Sequence, residues 1–223
     1  MTADIDVVIP TLNAARSLAT TLDSLRGNDR IAVTVCDGGS RDDTTTIARR
    51  AGATVVVSEP GRGRQLAEGA AVGSAPWLLF LHADTTLSPG WPAAARRFMA
   101  EATSQAAYFR LRFNSADPRA RRIERLAAWR SRALGLPYGD QGLLMARALY
   151  RHLGGFRPLP LMEDVDLVRR IGRRNLVPLD ADAVTSAERY ERDGWLARPM
   201  RNLGCLALYF AGLSPTVIRR LYG

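Results

Sequence analysis

Ile31-Ala32-Val33-Thr34-Val35-Cys36-Asp37-Gly38-Gly39-Ser40-Arg41-Asp42-Asp43-Thr44 decides the fold. The run from Ile31 to Cys36 is almost continuously apolar, as expected of a strand covered on both faces rather than one. It stops in two glycines and an acid-rich turn. Ser40 and Asp42 then give a helix start signal, with Asp42 suited to capping, and Thr44 to Ala51 follows as the helix. The same unit recurs on either side. Val7-Val8-Ile9 stops at Pro10, and Leu18, Leu22 and Leu25 follow at i, i+4 and i+7. Thr54 to Val57 precedes a helix over Arg64 to Val72, and Trp77 to Leu81 is a fourth apolar run. Strand and helix alternating at this spacing predict an α/β fold: a mostly parallel central sheet with helices on both faces.

Past Asp84 the pattern loosens. Trp91 to Ala102 reads as a helix. Tyr108 to Phe113 alternates, with Phe109, Leu111 and Phe113 expected inside and Tyr108, Arg110 and Arg112 outside. Arg119 to Leu134 reads as a basic amphipathic helix with Ile123, Leu126, Ala127 and Leu134 on its apolar stripe. Gly142 to Met145 reads as a short strand, Gly154-Gly155 as a helix end, and Glu163 to Ile171 as a further helix. The tail from Trp195 to Tyr222 is apolar and basic together. No repeat or linker divides the chain, so one domain is expected.

Composition narrows the classes. With 223 residues, 47% hydrophobic and 24% charged, the chain is not a disordered one. Two cysteines, Cys36 and Cys205, exclude a disulfide scaffold. Met1-Thr2-Ala3-Asp4 has no basic leader, and no long uncharged apolar run occurs, so a cytoplasmic protein is expected. The net charge is +9, and all 31 cations are arginine. That bias reflects either a GC-rich coding sequence or recognition of anions: nucleotides, phospholipid head groups or nucleic acid.

Ligands of open parallel sheets sit beyond the carboxyl ends of the strands. Pro10-Thr11-Leu12-Asn13 follows the first strand, Asp37-Gly38 the second, and His82-Ala83-Asp84 the fourth. Polar and acidic residues gathered at one edge suit a phosphorylated ligand held with a metal. A dinucleotide fingerprint is missing after the first strand, and a P-loop is excluded because the chain has no lysine.

The order Val8-Ile9-Pro10-Thr11-Leu12-Asn13, Asp37-Gly38-Gly39-Ser40-Arg41-Asp42, His82-Ala83-Asp84 and Glu163-Asp164 resembles glycosyltransferase family 2. Gly61-Arg62-Gly63-Arg64-Gln65, Phe80-Leu81-His82-Ala83-Asp84-Thr85 and Tyr138-Gly139-Asp140-Gln141-Gly142 are similar to its bacterial radical-SAM/selenodomain-associated branch. The resemblance implies a GT-A fold, a divalent metal (Mn or Mg), a UDP- or GDP-linked sugar donor and inverting transfer to a hydroxyl. Residues 1–88 become the nucleotide-sugar-binding half, 89–190 the acceptor and catalytic half, and 191–223 a helical tail. It implies that Asp37 contacts the nucleobase or ribose, with Gly38, Pro10, Thr11 and Asn13 beside it. Arg62, Arg64 and Gln65 would lie near the nucleotide at a helix start, an anion-binding position.

His82-Ala83-Asp84 stands where the family carries its metal-binding DxD. Asp84 and His82 become the metal ligands, and imidazole in place of the first acid suits Mn better than Mg. His82 read alone is equally a hydrogen-bonded core histidine, and His152 reads as structural. Asp164 takes the place of the family's catalytic base, with Glu163 beside it. Tyr138, Gly139, Asp140 and Gln141 are expected to line the donor-sugar or acceptor pocket. The basic segments Arg110 to Arg132 and Trp195 to Tyr222 suit either an anionic inner membrane surface carrying a lipid-linked acceptor or, respectively, a solvated helix and a terminal helix packed on the core.

Two other classes compete. A nucleotidyltransferase wants a glycine-rich basic loop after the first strand, which this chain lacks. A nucleic-acid binder leaves the strand-end acids unexplained, so no specific nucleic-acid partner is expected.

Overall fold

A computed structural model describes residues 3–101 and 104–222. The amino-terminal half alternates as read: β1 (Ile5–Thr11), α1 (Ala15–Asp23), β2 (Ile31–Asp37), α2 (Thr44–Arg50), β3 (Thr54–Val57), α3 (Arg62–Val72) and β4 (Trp77–Phe80). Then come β5 (Thr85–Leu87), α4 (Trp91–Glu101), β6 (Ala106–Phe113), α5 (Pro118–Leu134), β7 (Leu143–Ala146), α6 (Arg147–His152) and α7 (Glu163–Ile171). The chain continues through β8 (Leu176–Thr185), α8 (Glu188–Asp193), α9 (Ala197–Phe210) and α10 (Pro215–Tyr222). Ala102, at the end of the helix read from Trp91, lies outside the described residues.

One eight-stranded sheet runs in the order β3-β2-β1-β4-β7-β6-β8-β5. β3, β2, β1 and β4 are parallel, as are β6 and β8, while β7 and β5 enter antiparallel. Apolar layers on both faces explain the continuous runs. Val7 and Ile9 pack with Leu18, Leu79 and Trp91 on one side. Val8 packs with Leu66, Phe80 and Leu167 on the other. All three β1 side chains are fully buried, each worth about 1.5–3 kcal/mol of transfer free energy.

Asp6 is the one acid within the β1 apolar run, and it is buried against Arg147 at the start of α6. The carboxylate also accepts from Ala75 N (2.9 Å), and Arg147 Nε donates to Ala75 O (2.7 Å). This cluster ties β1 to the β4 and β7 ends. Arg147→Met should cost about 3–5 kcal/mol, because it leaves a buried carboxylate uncompensated. Asp6→Leu with Arg147→Met should lose less than that single change, and urea denaturation of both variants measures the difference.

Two expectations fail in the second half. Tyr108 is buried, because β6 lies inside the sheet between β7 and β8. Only Arg110 and Arg112 of its presumed outer face are exposed. The buried stripe of α5 is Ala120, Glu124, Ala127 and Ser131, while Leu126 and Leu134 are exposed. The reason is polar: Glu124 accepts from Phe113 N (2.9 Å) and pairs with Arg112 and Arg121. That carboxylate docks the helix on β6. Arg110 likewise pairs with Asp180 and Asp182, and Arg119 with Asp117. Half of the basic segment is thus engaged in ion pairs.

Candidate active site

The carboxyl ends of β1, β2 and β4 share one edge of the sheet, where two polar assemblies form. At the β1 and β2 ends, Asp37 is buried and accepts from Thr11 Oγ1 (2.9 Å), Gly39 N (3.0 Å) and Ser40 N (2.8 Å). Asn13 adopts a left-handed conformation (φ 52°), its N–H donating to Ser40 Oγ and its Oδ1 accepting from Arg41 N. Pro10, Thr11, Asn13, Asp37 and Gly38 therefore sit together around one braced turn. Asp42 accepts from Thr44 N and Ala15 N, which satisfies amides at two helix starts.

Gln65 has another task than the one expected. It is buried behind the turn, and its Nε2 donates to Thr11 O (2.7 Å) and Cys36 O (2.8 Å). An amide used in this way stitches β1 to β2 and has no donor left for a ligand. Arg64 is exposed and pairs with Glu59.

The second assembly is a cleft between the β4 end, the turn at residues 139–141, the start of α7, and α8 and α9. Arg62, His82, Asp84, Tyr138, Gly139, Asp140, Glu163 and Asp164 all line it. Ala83 is the spacer that sets His82 and Asp84 two residues apart, and its carbonyl accepts from Thr21 Oγ1 (2.9 Å). Gln141 is buried beneath the cleft, donating to Phe109 O (3.1 Å) and accepting from Ser131 Oγ (2.9 Å). It anchors the turn instead of lining the pocket. Arg130 lies 3.4 Å above the Tyr138 ring and braces that wall.

Two glycines permit the close approaches. A Cβ at Gly139 would lie 2.5 Å from His82 Nε2, so the turn rests directly on the imidazole. A Cβ at Gly63 would lie 2.3 Å from Arg157 O and 3.2 Å from Glu163 Cβ. The start of α3 thus seats against α7, bringing Arg62 Nε to 3.1 Å from Glu163 Oε1. Met162, just before α7, is left-handed (φ 66°), a costly conformation for this side chain. It swings the chain so that Asp164 Oδ2 accepts from Gly139 N (2.8 Å). Asp166 takes no part, being paired with Arg157 and Arg170.

Burial governs the protonation states. It pushes His82 down to about 4, with Arg62 adding to the effect and Asp84 and Asp164 opposing it. The imidazole is therefore neutral at physiological pH, the form that ligates metals. Burial raises the Glu163 carboxyl, against the pull of Arg62. It also pushes Asp140 up to about 6, Asp164 and Asp84 adding to the shift and Arg130 and Arg62 opposing it. Asp140 Oδ1 is buried without a hydrogen-bond partner.

A pH effect follows. Between about pH 4 and 6 the folded chain holds a proton on Asp140 that the unfolded chain has released. Asp140's own contribution to stability should therefore fall as pH rises through that window, while His82, neutral when folded and protonated when unfolded, contributes in the opposite direction. At 1.36 kcal/mol per pKa unit the Asp140 contribution is on the order of 3 kcal/mol. Relative to the parent, Asp140→Asn should gain stability as pH rises from 4.5 to 7 and be the more stable of the two metal-free proteins at pH 7, as read by urea denaturation of both at each pH.

The donor set suits a divalent cation. Neutral His82 and anionic Asp84 line one cleft, where Asp140 Oδ1 is also unsatisfied. Among the described residues no group of three or more His, Cys, Asp or Glu side chains is close enough to hold an ion alone. A six-coordinate ion here would take its other ligands from a phosphorylated substrate and water, a habit of Mg and its analogues.

Sequence reasoning missed the far wall. Arg189 from α8 lies with its Nη2 3.9 Å from Asp84 Oδ2. Arg198, Asn202 and Cys205 line the cleft from α9 at i, i+4 and i+7.

The mostly parallel sheet, the helices on both faces and the acid-lined cleft at its carboxyl edge define the GT-A class of fold. The chain belongs to glycosyltransferase family 2: the family model Glycosyl transferase family 2 matches residues 6–153. Membership favours a glycosyltransferase over a nucleotidyltransferase or a nucleic-acid binder. Uncharacterized glycosyltransferases of Mycobacterium tuberculosis and Mycobacterium bovis are 36% identical over 87 residues, which span 39% of this chain and 39% of theirs. The match therefore covers well under half the length of those relatives.

Among solved structures, glucosyl-3-phosphoglycerate synthase of Mycobacterium tuberculosis with Mn2+, UDP and glucosyl-3-phosphoglycerate superposes with a TM-score of 0.60. It is 22% identical, with 82% of this chain and 70% of that one covered. Mannosyltransferase PcManGT of Pyrobaculum calidifontis with GDP-Man and Mn2+ gives a TM-score of 0.66 at 18% identity, covering 100% of this chain and 68% of that one.

Proposed function

We propose that this chain is an inverting, divalent-metal-dependent glycosyltransferase that moves a sugar from a UDP- or GDP-linked donor to a hydroxyl of a lipid-linked acceptor at the inner membrane surface. One observation carries the reading. Asp164 is fixed by Gly139 N in the same cleft that gathers His82 and Asp84. A candidate base and a candidate metal site thus share one space. The Mn2+ and nucleotide in the two superposed enzymes support it, as does family membership. The Gly61–Gln65 and Tyr138–Gly142 motifs support placement in the radical-SAM/selenodomain-associated branch.

In this reading the braced turn of Pro10, Thr11, Asn13, Asp37 and Gly38 holds the nucleoside end. Arg62 faces the diphosphate. Asp84 and His82 hold the cation, which when bound offsets the diphosphate charge and stabilises the leaving group. Asp140 and Tyr138 orient hydroxyls of the donor sugar or acceptor, and the unsatisfied Asp140 Oδ1 gains its missing partner there. Asp164 takes the acceptor proton as that oxygen attacks the anomeric carbon from the face opposite the diphosphate. Glu163, held by Arg62, keeps the start of α7 in place.

The test is proton NMR of a panel of UDP- and GDP-linked hexoses incubated with the protein and Mn2+. Nucleoside diphosphate should appear only with the divalent ion, and the first sugar product should carry the inverted anomeric configuration. A retained configuration, or equal release in chelator, would contradict it.

A further inference from the structure

α9 has two faces with different tasks. Its inner face gives Arg198, Asn202 and Cys205 to the cleft, and Leu206 packs with Leu136, Val165 and Val168. Its outer face is apolar and exposed, with the Arg169 guanidinium 4.8 Å above the Phe210 ring. Met200 is 65% exposed, Leu203 57% and Phe210 50%, with exposed Ala207 between them, all on one stripe of the helical repeat. On α10, which packs next to α9, Val217 and Leu221 are exposed and Ile218 is buried.

The charge of this segment has one sign. Residues 194–223 contain Arg198, Arg201, Arg219 and Arg220 and no Asp or Glu. Arg198 and Arg201 lie 3.0 and 3.7 Å from Asp193. Arg219 and Arg220 are exposed and form no ion pair among the described residues. No helix among the described residues is long and apolar enough to cross a membrane.

We infer that α9 and α10 form a docking face for an anionic lipid bilayer, with Met200, Leu203 and Phe210 entering the headgroup boundary and Arg219 and Arg220 meeting lipid phosphates. Apolar residues beside unpaired arginines on a helix that cannot span are the makings of an interfacial helix. A second copy of the chain fits less well, since a self-complementary dimer would press one acid-free basic face onto its own image. The use of the surface rests on the membrane-borne acceptor proposed above, because the same helix walls the cleft and would set its mouth beside the bilayer.

The experiment is cosedimentation of the full chain with phosphatidylcholine vesicles, with and without about 30 mol% phosphatidylglycerol to give a negative surface potential. The anionic vesicles should bind at least tenfold more protein at low salt, and high salt should release it, since exposed charges are screened. M200S/L203S/F210S and, separately, R219E/R220E should each reduce binding at least tenfold. Both should retain the parent thermal midpoint and its calorimetric affinity for UDP or GDP with Mn2+. Should the triple variant fold poorly, the arginine pair decides alone.

Equal binding to neutral vesicles, no binding to either, or unchanged binding of the variants would overturn the docking face. A dimer in sedimentation velocity that the triple variant dissociates would overturn it in favour of an interface between copies. Nucleotide binding without vesicle binding removes the docking face alone, and vesicle binding without nucleotide binding removes the catalytic reading alone.

Discussion

Asp164→Asn is expected to give a folded protein that binds UDP or GDP with Mn2+ as the parent does, yet transfers sugar roughly 10²–10⁴-fold more slowly. Asparagine keeps the shape and its carbonyl oxygen can still accept from Gly139 N (2.8 Å), while its NH2 replaces the oxygen that accepts from Val165 N (2.7 Å), a local loss that costs some stability and leaves the fold intact. The amide has no basic oxygen to take a proton from the attacking hydroxyl. Because the interaction lost belongs to the transition state, the deficit should appear in kcat while donor affinity holds. Calorimetry for donor binding and steady-state kinetics on the acceptor separate the two. A variant within a few-fold of the parent would move the base to Glu163 or Asp140, which line the same cleft.

The second large effect concerns Asp84. Asp84→Ala should weaken Mn2+-dependent binding of the nucleoside diphosphate roughly 100-fold or more, beyond the 10–100-fold seen for residues that only support a ligand. His82→Ala should weaken it less, because a neutral imidazole contributes a lone pair but no charge. Removing Asp84 also leaves Arg189 without the carboxylate 3.9 Å away. Titration of UDP and GDP with and without Mn2+ checks this. Full affinity of Asp84→Ala in chelator would remove the metal role.

The first half of the fold was legible because β1, β2 and β4 are covered on both faces, so burial leaves continuous apolar runs. β8 was not legible. It carries Pro178 and the outward Asp180 and Asp182, its inward positions include the small Ala181 and Ala183, and its register slips beside Tyr108. Proline and acids hide a strand whose pairing is fixed by its neighbours. The α5 stripe was misread for a related reason. Glu124 is buried because β6 supplies its partners, and no periodicity shows a partner far along the chain.

The site divides in the same way. His82, Asp84, Tyr138, Gly139, Asp140, Glu163 and Asp164 were found through ordered motifs, and the fold brings them into one cleft. Gln65 and Gln141 were read as ligand contacts because sequence shows polarity, whereas their work is satisfying buried backbone groups. Arg189, Arg198, Asn202 and Cys205 arrive through the wrapping of α8 and α9 over the cleft. Only the three-dimensional path of the tail places them there.

In the proposed enzyme His82 and Asp84 hold a divalent cation against the donor diphosphate, within reach of Asp164. A crystal of the protein grown with Mn2+ and UDP or GDP tests it most directly, through the anomalous difference map. A single strong Mn peak bonded to Asp84 and His82 is expected, with diphosphate oxygens and water completing its coordination and the Asp164 carboxylate open to the same space. An Mn peak away from both residues, or a diphosphate bound in the cleft with no metal beside Asp84, would contradict it.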